Sequence, residues 1–218
     1  MSNYSNGLNT RNLVLQAARE LFYEKGYLKT SFSNICQKAG LNSGLVVYHF
    51  GGKSQIAHDV YQAIIQSQCE PLYRHFSNED KIVLSILSLY THYCLFFRDA
   101  HFRRFSTEVN SQRIVGNTHM ELTKSLPLLY EGALKYHDPK KLSFFFAADV
   151  GLGGDIESFL CENLENYTLD ECVKYTTELY LPYIQEDFLQ KAILKARELY
   201  QHVEVSNQKF DIVIQIHD

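Results

Sequence analysis

Apolar residues along most of the chain recur at steps of three and four, the spacing that places one apolar stripe along an α-helix. The pattern begins near Thr10 and predicts a first helix that ends at Gly26, because glycine accepts the left-handed conformation beyond a last helical turn. Residues 1–9 are polar and aperiodic, and we expect them to form a disordered arm. The predicted fold class is all-α.

Two short helices follow the first one. Thr30 is the predicted N-cap of a helix with the sequence SFSNICQKA, which ends at Gly40. Asn42 or Ser43 is the predicted cap of a third helix. Two short helices joined by a tight turn are typical of a helix-turn-helix, so residues 10–53 are interpreted as a three-helix DNA-binding domain.

A larger helical domain is predicted after this unit. A connecting helix fits residues 54–69, before Pro71, and a helical domain fits residues 70–205. Its predicted helices are 79–98, 101–114, 117–136, 140–163 and 168–203, the last interrupted or bent at Pro182. The tail, residues 206–218, alternates like a strand at Ile212, Ile214 and Ile216. Pairing of this strand across a dimer is our hypothesis.

Charge is unevenly distributed along the 218 residues. The net charge is −4, but six basic and three acidic residues through Val60 give +3, which leaves −7 for the remainder. A polyanionic partner is therefore expected to meet the front of the chain. The five cysteines are scattered without a Cys-x-x-Cys pair, which argues against a disulfide framework or a zinc site. No signal leader or membrane span is evident, so a cytoplasmic protein without a membrane partner is expected.

Residues 11–65 resemble the DNA-binding domain of the tetracycline-repressor (TetR) family. The segments that carry the resemblance are RNLVLQAARELFYEKGY, TSFSNICQKAGLNSGLVVYHF and GGKSQIAHDVY. The matching positions are Arg11, Ala17, Ala18, Phe22, Gly26, Tyr27, Thr30, Ala39, Gly40, Gly44, Tyr48, His49, Phe50 and Lys53. Val47 stands where the family usually has a tyrosine, and Cys36 where it favours alanine. The resemblance implies a helical C-terminal domain that dimerises and holds a small molecule.

The second helix of a helix-turn-helix enters the major groove with its N-terminal residues at base edges. Small side chains at its start would allow close approach, and residues at its end would reach phosphates. Leu45 would meet a thymine methyl, with a place in the core as the alternative. The alternative for Tyr48 and His49 is that they cover the end of a small core. The predicted DNA-binding residues are Thr30, Asn42, Ser43, Gly44, Leu45, Tyr48, His49 and Lys53.

The C-terminal domain offers candidates for a dimer interface and a ligand site. An interchain interface is predicted from small residues on one face of helix 140–163, together with two residues of the following helix. The alternatives are packing within one chain and a loop that breaks the helix at GLGGD. The interface candidates are Ala147, Gly151, Gly154, Ser158, Leu179 and Tyr183. The ligand-site candidates are Tyr93, Phe96, Phe97, His101, His119, Tyr130, Phe145 and Tyr175; the alternative for most of them is a place in the core. No metal or other cofactor is predicted, because His92, Cys94 and His101 lack further spaced ligands.

These features predict a ligand-responsive transcriptional regulator, and a repressor in particular. It would bind a palindromic double-stranded DNA operator as a homodimer and be released by a small apolar or aromatic effector. An enzyme is not predicted, because the chain shows no nucleophile elbow, phosphate loop or kinase signature. The alternative is a helical interaction protein that retains the helix-turn-helix shape without binding an operator.

Overall fold

A computed structural model describes residues 2–114 and 131–217. Side chains at residues 2–6, 8, 143, 146–153 and 180 lie outside this description. The N-terminal head (residues 2–50) contains α1 (Ser2–Lys25), α2 (Phe32–Ala39) and α3 (Ser43–Phe50). The remaining elements are α4 (Lys53–His75), α5 (Lys81–Arg98), α6 (Ala100–Ser111), α7 (Pro139–Asn163), a 3-10 turn (Leu164–Asn166), α8 (Leu169–Tyr180), α9 (Glu186–Tyr200), β1 (Val203–Gln208) and β2 (Asp211–Ile216). The predicted helical fold class is confirmed, with one β-hairpin added at the C-terminal end.

The ends of α2 are fixed by local hydrogen bonds. Ser31 is its N-cap, since the Ser31 hydroxyl accepts from the Asn34 N–H and the Asn34 side chain accepts from the Ser31 N–H, both at 3.0 Å. The helix ends at Gly40, whose φ of +68° is the left-handed conformation that glycine tolerates. The prediction that Thr30 caps this helix is wrong, because the Thr30 hydroxyl turns inward and donates to the Gly26 carbonyl at 2.7 Å.

The core of the head is continuous with that of the C-terminal domain. Its centre consists of fully buried side chains from α1, α2 and α3: Val14, Ala18, Phe22, Ile35 and Val46. These residues recur at the three- and four-residue steps seen in the sequence, so burial of the apolar stripes holds the three helices together. The opposite face of α3 is left toward solvent.

Two helix boundaries differ from the sequence-based expectation. Helix α1 begins at Ser2, so residues 2–9 continue the first helix instead of forming a disordered arm; this stretch contains no proline, and extension of an existing helix adds a hydrogen bond for each residue fixed. Helix α4 passes through Pro71 and ends at His75. Proline removes only one backbone donor, and the complete burial of the neighbouring Leu72 stabilises the continued helix.

In the C-terminal domain (residues 81–200), α5 lies among α4, α6, α8 and α9. The predicted helix 168–203 is interrupted near Pro182, as α8 and α9 are separate. Residues 131–136, expected to be helical, instead form turns and a bridge in which Leu134 pairs with Ile184. The sequence GLGGD does not break α7, which is continuous through it. Most of predicted helix 117–136 lies outside the described residues.

The C-terminal tail forms β2, and its partner is β1 of the same chain. The two strands are antiparallel, with Val203 opposite Ile216 and Gln208 opposite Asp211. This pairing corrects the hypothesis that the tail finds its partner across a dimer. Strand β1 begins at the last residue of the predicted helix 168–203 and extends into the predicted tail, residues 206–218. The hairpin packs on α4 and α5.

Candidate nucleic-acid interface

Helix α3 presents a continuous exposed face. Ser43, Gly44, Val47 and Tyr48 are all exposed, and their i, i+1, i+4, i+5 spacing places them side by side. Tyr48 is 83% exposed. An aliphatic and an aromatic side chain so open to solvent, next to two small residues, give a surface able to enter a groove. Val47 is not among the predicted DNA contacts, although its four-residue step from Ser43 places it on the same helix face.

Among the residues that the structure describes, none requires glycine at position 44. It has no positive φ, and a Cβ placed there would meet only the Asn42 Oδ1 atom, at an ordinary 3.5 Å. Glycine costs up to about 1 kcal/mol relative to alanine in a helix. Packing among the described residues therefore does not account for the glycine at position 44.

Other predicted contacts on α3 also have structural roles. The Asn42 side chain caps the helix, with its Oδ1 atom accepting from the Leu45 N–H at 2.8 Å. Leu45 itself is half-buried beside the exposed face. The His49 ring is half-buried and makes an edge-to-face contact with Tyr48, with ring centres 5.2 Å apart. Of the predicted contacts, only Ser43, Gly44 and Tyr48 combine high exposure with no described capping role.

Arg11 ties the end of α3 to α1 and α4. Its guanidinium donates to the His49 carbonyl at 2.9 Å and to the Asp59 carboxylate at 2.7 Å. It also lies over the Phe50 ring, 4.4 Å from the ring centre. Although Arg11 begins the sequence motif, its positioning role depends on contacts 38 and 48 residues away, which spacing alone does not reveal.

Thr30 and Lys53 are both predicted DNA contacts. In the structure their side chains make hydrogen bonds to carbonyl groups of the head. Thr30 is 1% exposed. The Lys53 ammonium donates to the carbonyls of Tyr27 and Thr30. Burial lowers the pKa of Lys53, and the negative charge of Glu108 partly offsets that shift. Both side chains therefore stabilise the head in this structure, and their expected contact with DNA stays a prediction.

The comparisons with known proteins agree with this geometry. Residues 14–60 match the family model of the bacterial regulatory proteins, tetR family. The N-terminal domain belongs to the tetR family. The HTH-type transcriptional regulator TtgR of Pseudomonas putida is 26% identical over 73 residues, which are 34% of this chain and 34% of TtgR. SrpR of Pseudomonas putida is 35% identical over 68 residues, 31% of this chain and 30% of SrpR.

The matched segment spans about a third of the length of these curated relatives. For the whole chain, likeness is structural: TylP, a tetR regulator from Streptomyces fradiae, superposes with a TM-score of 0.57 at 18% identity, covering 93% of this chain and 94% of that one. This likeness extends the family's fold beyond the tetR-family head, to the helical C-terminal domain.

The described ligand-site candidates behind the tetR-family head do not converge on one place. Tyr93 and Phe96 are buried in the core, with ring centres 6.3 Å apart. Phe97 is half-buried, and Phe145 stacks on Tyr136 at 5.5 Å. Tyr175 is exposed on α8.

Of the other three ligand candidates, only His101 lies within the described residues. His101 stacks on Tyr23 of the head, with ring centres 4.4 Å apart, beside an open cleft of about 350 Å³ between the head and the hairpin. His119 and Tyr130 lie outside the described residues.

A buried polar cluster, missed by the sequence analysis, lies among α4, α5, α6 and α7. The Glu157 carboxylate is hydrogen-bonded to His92 at 2.9 Å, to Ser106 at 2.8 Å and to Asn110 at 3.0 Å. Burial raises the pKa of the adjoining Tyr61, and the negative charge of Glu157 adds to the shift. His92, Ser106 and Asn110 are 47 to 65 positions from Glu157 along the chain. No local sequence motif therefore indicates the cluster.

Most of the described interface candidates pack within the chain. A Cβ at Gly154 would lie 2.9 Å from the Asn110 carbonyl carbon and oxygen, so this glycine allows α7 to approach α6. The Ser158 hydroxyl donates to the Gly154 carbonyl, and Tyr183 is buried. The interchain assignment of Gly154 and Tyr183 is therefore corrected to packing inside one chain.

One described interface candidate is open to solvent. Leu179 is 52% exposed, one turn from the exposed Tyr175 on α8. The side-chain environments of Ala147 and Gly151 on α7 lie outside the described residues.

Neither a membrane span nor a metal site is found within residues 2–114 and 131–217. No helix in these ranges is long and apolar enough to span a membrane. Nor do these residues bring three or more His, Cys, Asp or Glu side chains together in a group that could hold a metal ion.

Proposed function

We propose that the chain is a ligand-responsive transcriptional regulator that binds a palindromic operator as a homodimer. The observation that carries this proposal is the exposed face of α3, where no residue that the structure describes requires glycine at position 44. In the bound complex, Ser43, Gly44 and Val47 face base edges in the major groove. The Tyr48 hydroxyl donates a hydrogen bond to a phosphate. The backbone N–H groups of Lys53, Ser54 and Gln55, at the uncapped start of α4, also donate hydrogen bonds to phosphate.

Two heads of a symmetric dimer must reach successive major grooves, about 34–36 Å apart. An effector that binds best to a dimer with another head separation lowers operator affinity by the ratio of its affinities for the two states. The effector is a small apolar or aromatic molecule held in the C-terminal domain. The Glu157 cluster supplies polar groups next to the buried rings of that domain.

The apolar surface of α8 is our candidate for the dimer contact. Tyr175 and Leu179 project from one face of this helix, and Phe159 of α7 is also half exposed. The described part of the chain offers Leu194 on α9 as a matched control, since it is 65% exposed. Leu179→Glu should convert the dimer to a monomer in light scattering, and Leu194→Glu should not. The opposite pattern would place the interface on α9.

The operator is tested by selection from random double-stranded DNA and by gel shift with DNA flanking the protein's own gene. We expect one enriched palindrome, bound with an affinity that falls steeply between about 50 and 200 mM salt. Addition of candidate effectors should release the DNA. A purified dimer that enriches no sequence, even at low salt, would instead favour the helical interaction protein.

A further inference from the structure

The tip of the C-terminal hairpin lies between the head and the C-terminal domain. Phe210, at the turn, is 1% exposed. Its ring lies 5.1 Å from Tyr23 of α1, edge to face, and 4.9 Å from Phe105 of α6. A single side chain of the tail therefore contacts one ring from each side of the domain junction.

Polar contacts anchor the same tip. The Asn207 side-chain amide donates to Asp99 Oδ2 at 2.7 Å, and the Tyr23 hydroxyl donates to the same oxygen at 3.2 Å. The other Asp99 oxygen caps α6 by accepting from the N–H groups of His101 and Phe102. Asp99 thus joins the hairpin, the end of α1 and the start of α6 through one carboxylate.

The turn itself favours a specific role for Phe210. Lys209 and Phe210 have φ values of +53° and +69°. Glycine or asparagine is usual in such a two-residue turn, because other side chains are strained at positive φ. The Phe210 N–H is held by Asn207 Oδ1 at 2.7 Å. An aromatic residue in this conformation needs compensation, and the ring contacts with Tyr23 and Phe105 provide it.

The strands extend these contacts along the connecting helix. Val205 and Ile212 are buried in the core, and β2 packs along α4, which joins the head to the C-terminal domain. Independently of the hairpin, Arg104 of α6 donates to the Tyr23 carbonyl at 2.7 Å, and Glu108 accepts from the Leu28 N–H at 2.8 Å. The hairpin therefore adds a second layer of contacts to an existing junction between α1 and α6.

We propose that the C-terminal hairpin is an interdomain clamp, in which Phe210 and Asn207 are positioning residues that fix the angle of the head on the C-terminal domain. This rests on the proposed function in one respect: in the dimer, the head angle sets the separation of the two α3 helices. With the clamp released, the head samples other angles. The apparent operator affinity then falls in proportion to the fraction of molecules with the competent separation.

The test uses the full-length protein with a matched pair of turn variants. Phe210→Gly removes the ring and places glycine, which tolerates positive φ, in the turn. Lys209→Gly relieves the same backbone strain at the exposed neighbouring position and leaves the Phe210 ring in place. Asn207→Asp places a second carboxylate against Asp99 and supplies an independent way to open the clamp. Circular dichroism verifies that each variant keeps its helices. Should Phe210→Gly fail to fold, Asn207→Asp alone decides.

Hydrogen exchange of residues 20–31 reports on the clamp without DNA. We expect faster exchange there in Phe210→Gly and Asn207→Asp, and wild-type exchange in Lys209→Gly. Operator affinity should fall about tenfold in the first two variants, as when a tenth of the molecules remain competent. Wild-type exchange in both clamp variants, with helices intact, would overturn the proposal.

The two proposals fail in different ways. If wild-type protein binds no DNA, the function is wrong, but the exchange measurement still decides whether the hairpin clamps the head. If the variants exchange faster yet bind the operator as the wild type does, the clamp does not position the head for DNA and the inference is rejected.

Discussion

The ammonium group of Lys53 lies 3.9 Å from the centre of the Tyr27 ring and donates to the Tyr27 carbonyl at 3.0 Å. A second hydrogen bond reaches the Thr30 carbonyl at 2.9 Å. Lys53 opens α4, and the two carbonyls belong to the loop between α1 and α2. The contact therefore stabilises the scaffold that holds α3, where the sequence motif alone indicates a phosphate ligand.

Lys53→Met should lower the free energy of unfolding of the purified protein by about 1–3 kcal/mol, because two carbonyls at the domain's edge lose a charged donor. Chemical denaturation followed by circular dichroism measures this change. Lys29→Met is the matched control, since Lys29 is exposed on the same loop. Equal stability of the two variants would contradict the structural role of Lys53.

Gly44→Ala should separate folding from DNA binding. The added methyl group meets no atom of the described residues closer than 3.5 Å, and alanine is the better helix former by up to about 1 kcal/mol. Stability should be unchanged or higher. In the DNA complex the added methyl group crowds the contact between α3 and DNA, and such overpacking costs about 1–3 kcal/mol. Operator affinity should therefore fall about ten- to hundredfold.

The control for Gly44→Ala is Ser85→Ala, a change of similar size on an exposed face of α5. It should leave gel-shift affinity at the wild-type level. Full operator affinity in Gly44→Ala would mean that the backbone of α3 does not approach DNA closely at this position.

Glu157→Ala should destabilise the C-terminal domain. The change removes the acceptor that His92, Ser106 and Asn110 share in a largely buried cluster. Removal of one partner from such a cluster costs about 3 kcal/mol or more. Glu162→Ala, at an exposed position of the same helix, should change the free energy of unfolding by less than about 0.5 kcal/mol. Similar values for the two variants would show that the cluster contributes nothing to stability.

Alkaline pH should destabilise the fold through its buried tyrosines. Burial raises the pKa values of Tyr61, Tyr90, Tyr93 and Tyr200 above the ordinary value of 10.0. A raised folded-state pKa gives stability that is fully present below about pH 10 and is lost as pH rises toward the folded value. The free energy of unfolding should therefore decline above pH 10.

Tyr93→Phe should make the decline of the free energy of unfolding above pH 10 less steep, by up to about 1.4 kcal/mol per pH unit. The reason is that the variant lacks one tyrosine whose pKa is raised by folding. Urea denaturation at several pH values measures both slopes. The loss of the Thr176 hydrogen bond appears separately, as a constant offset between the two proteins at pH 7. Identical slopes for wild type and variant would contradict a raised pKa at Tyr93.

Much of the head could be predicted from sequence, because its determinants are local. The apolar stripe of α1, the glycine at the end of α2 and the spacing of Ser43, Gly44 and Tyr48 follow from contacts within a few residues. The internal contacts of Thr30 and Lys53 could not be predicted, because each side chain could turn inward or outward. Sequence spacing contains no information about that choice, which depends on carbonyl groups more than twenty residues away from Lys53.

The amino-acid sequence by itself determined the helical class and the helix-turn-helix with its exposed small residues, because helix periodicity and capping are properties of short segments. The tertiary structure alone decided the use of Gly154 inside one chain, the assembly of the Glu157 cluster and the insertion of Phe210 between Tyr23 and Phe105. Each of these joins residues that are distant along the chain, and their energies exist only once the helices have packed.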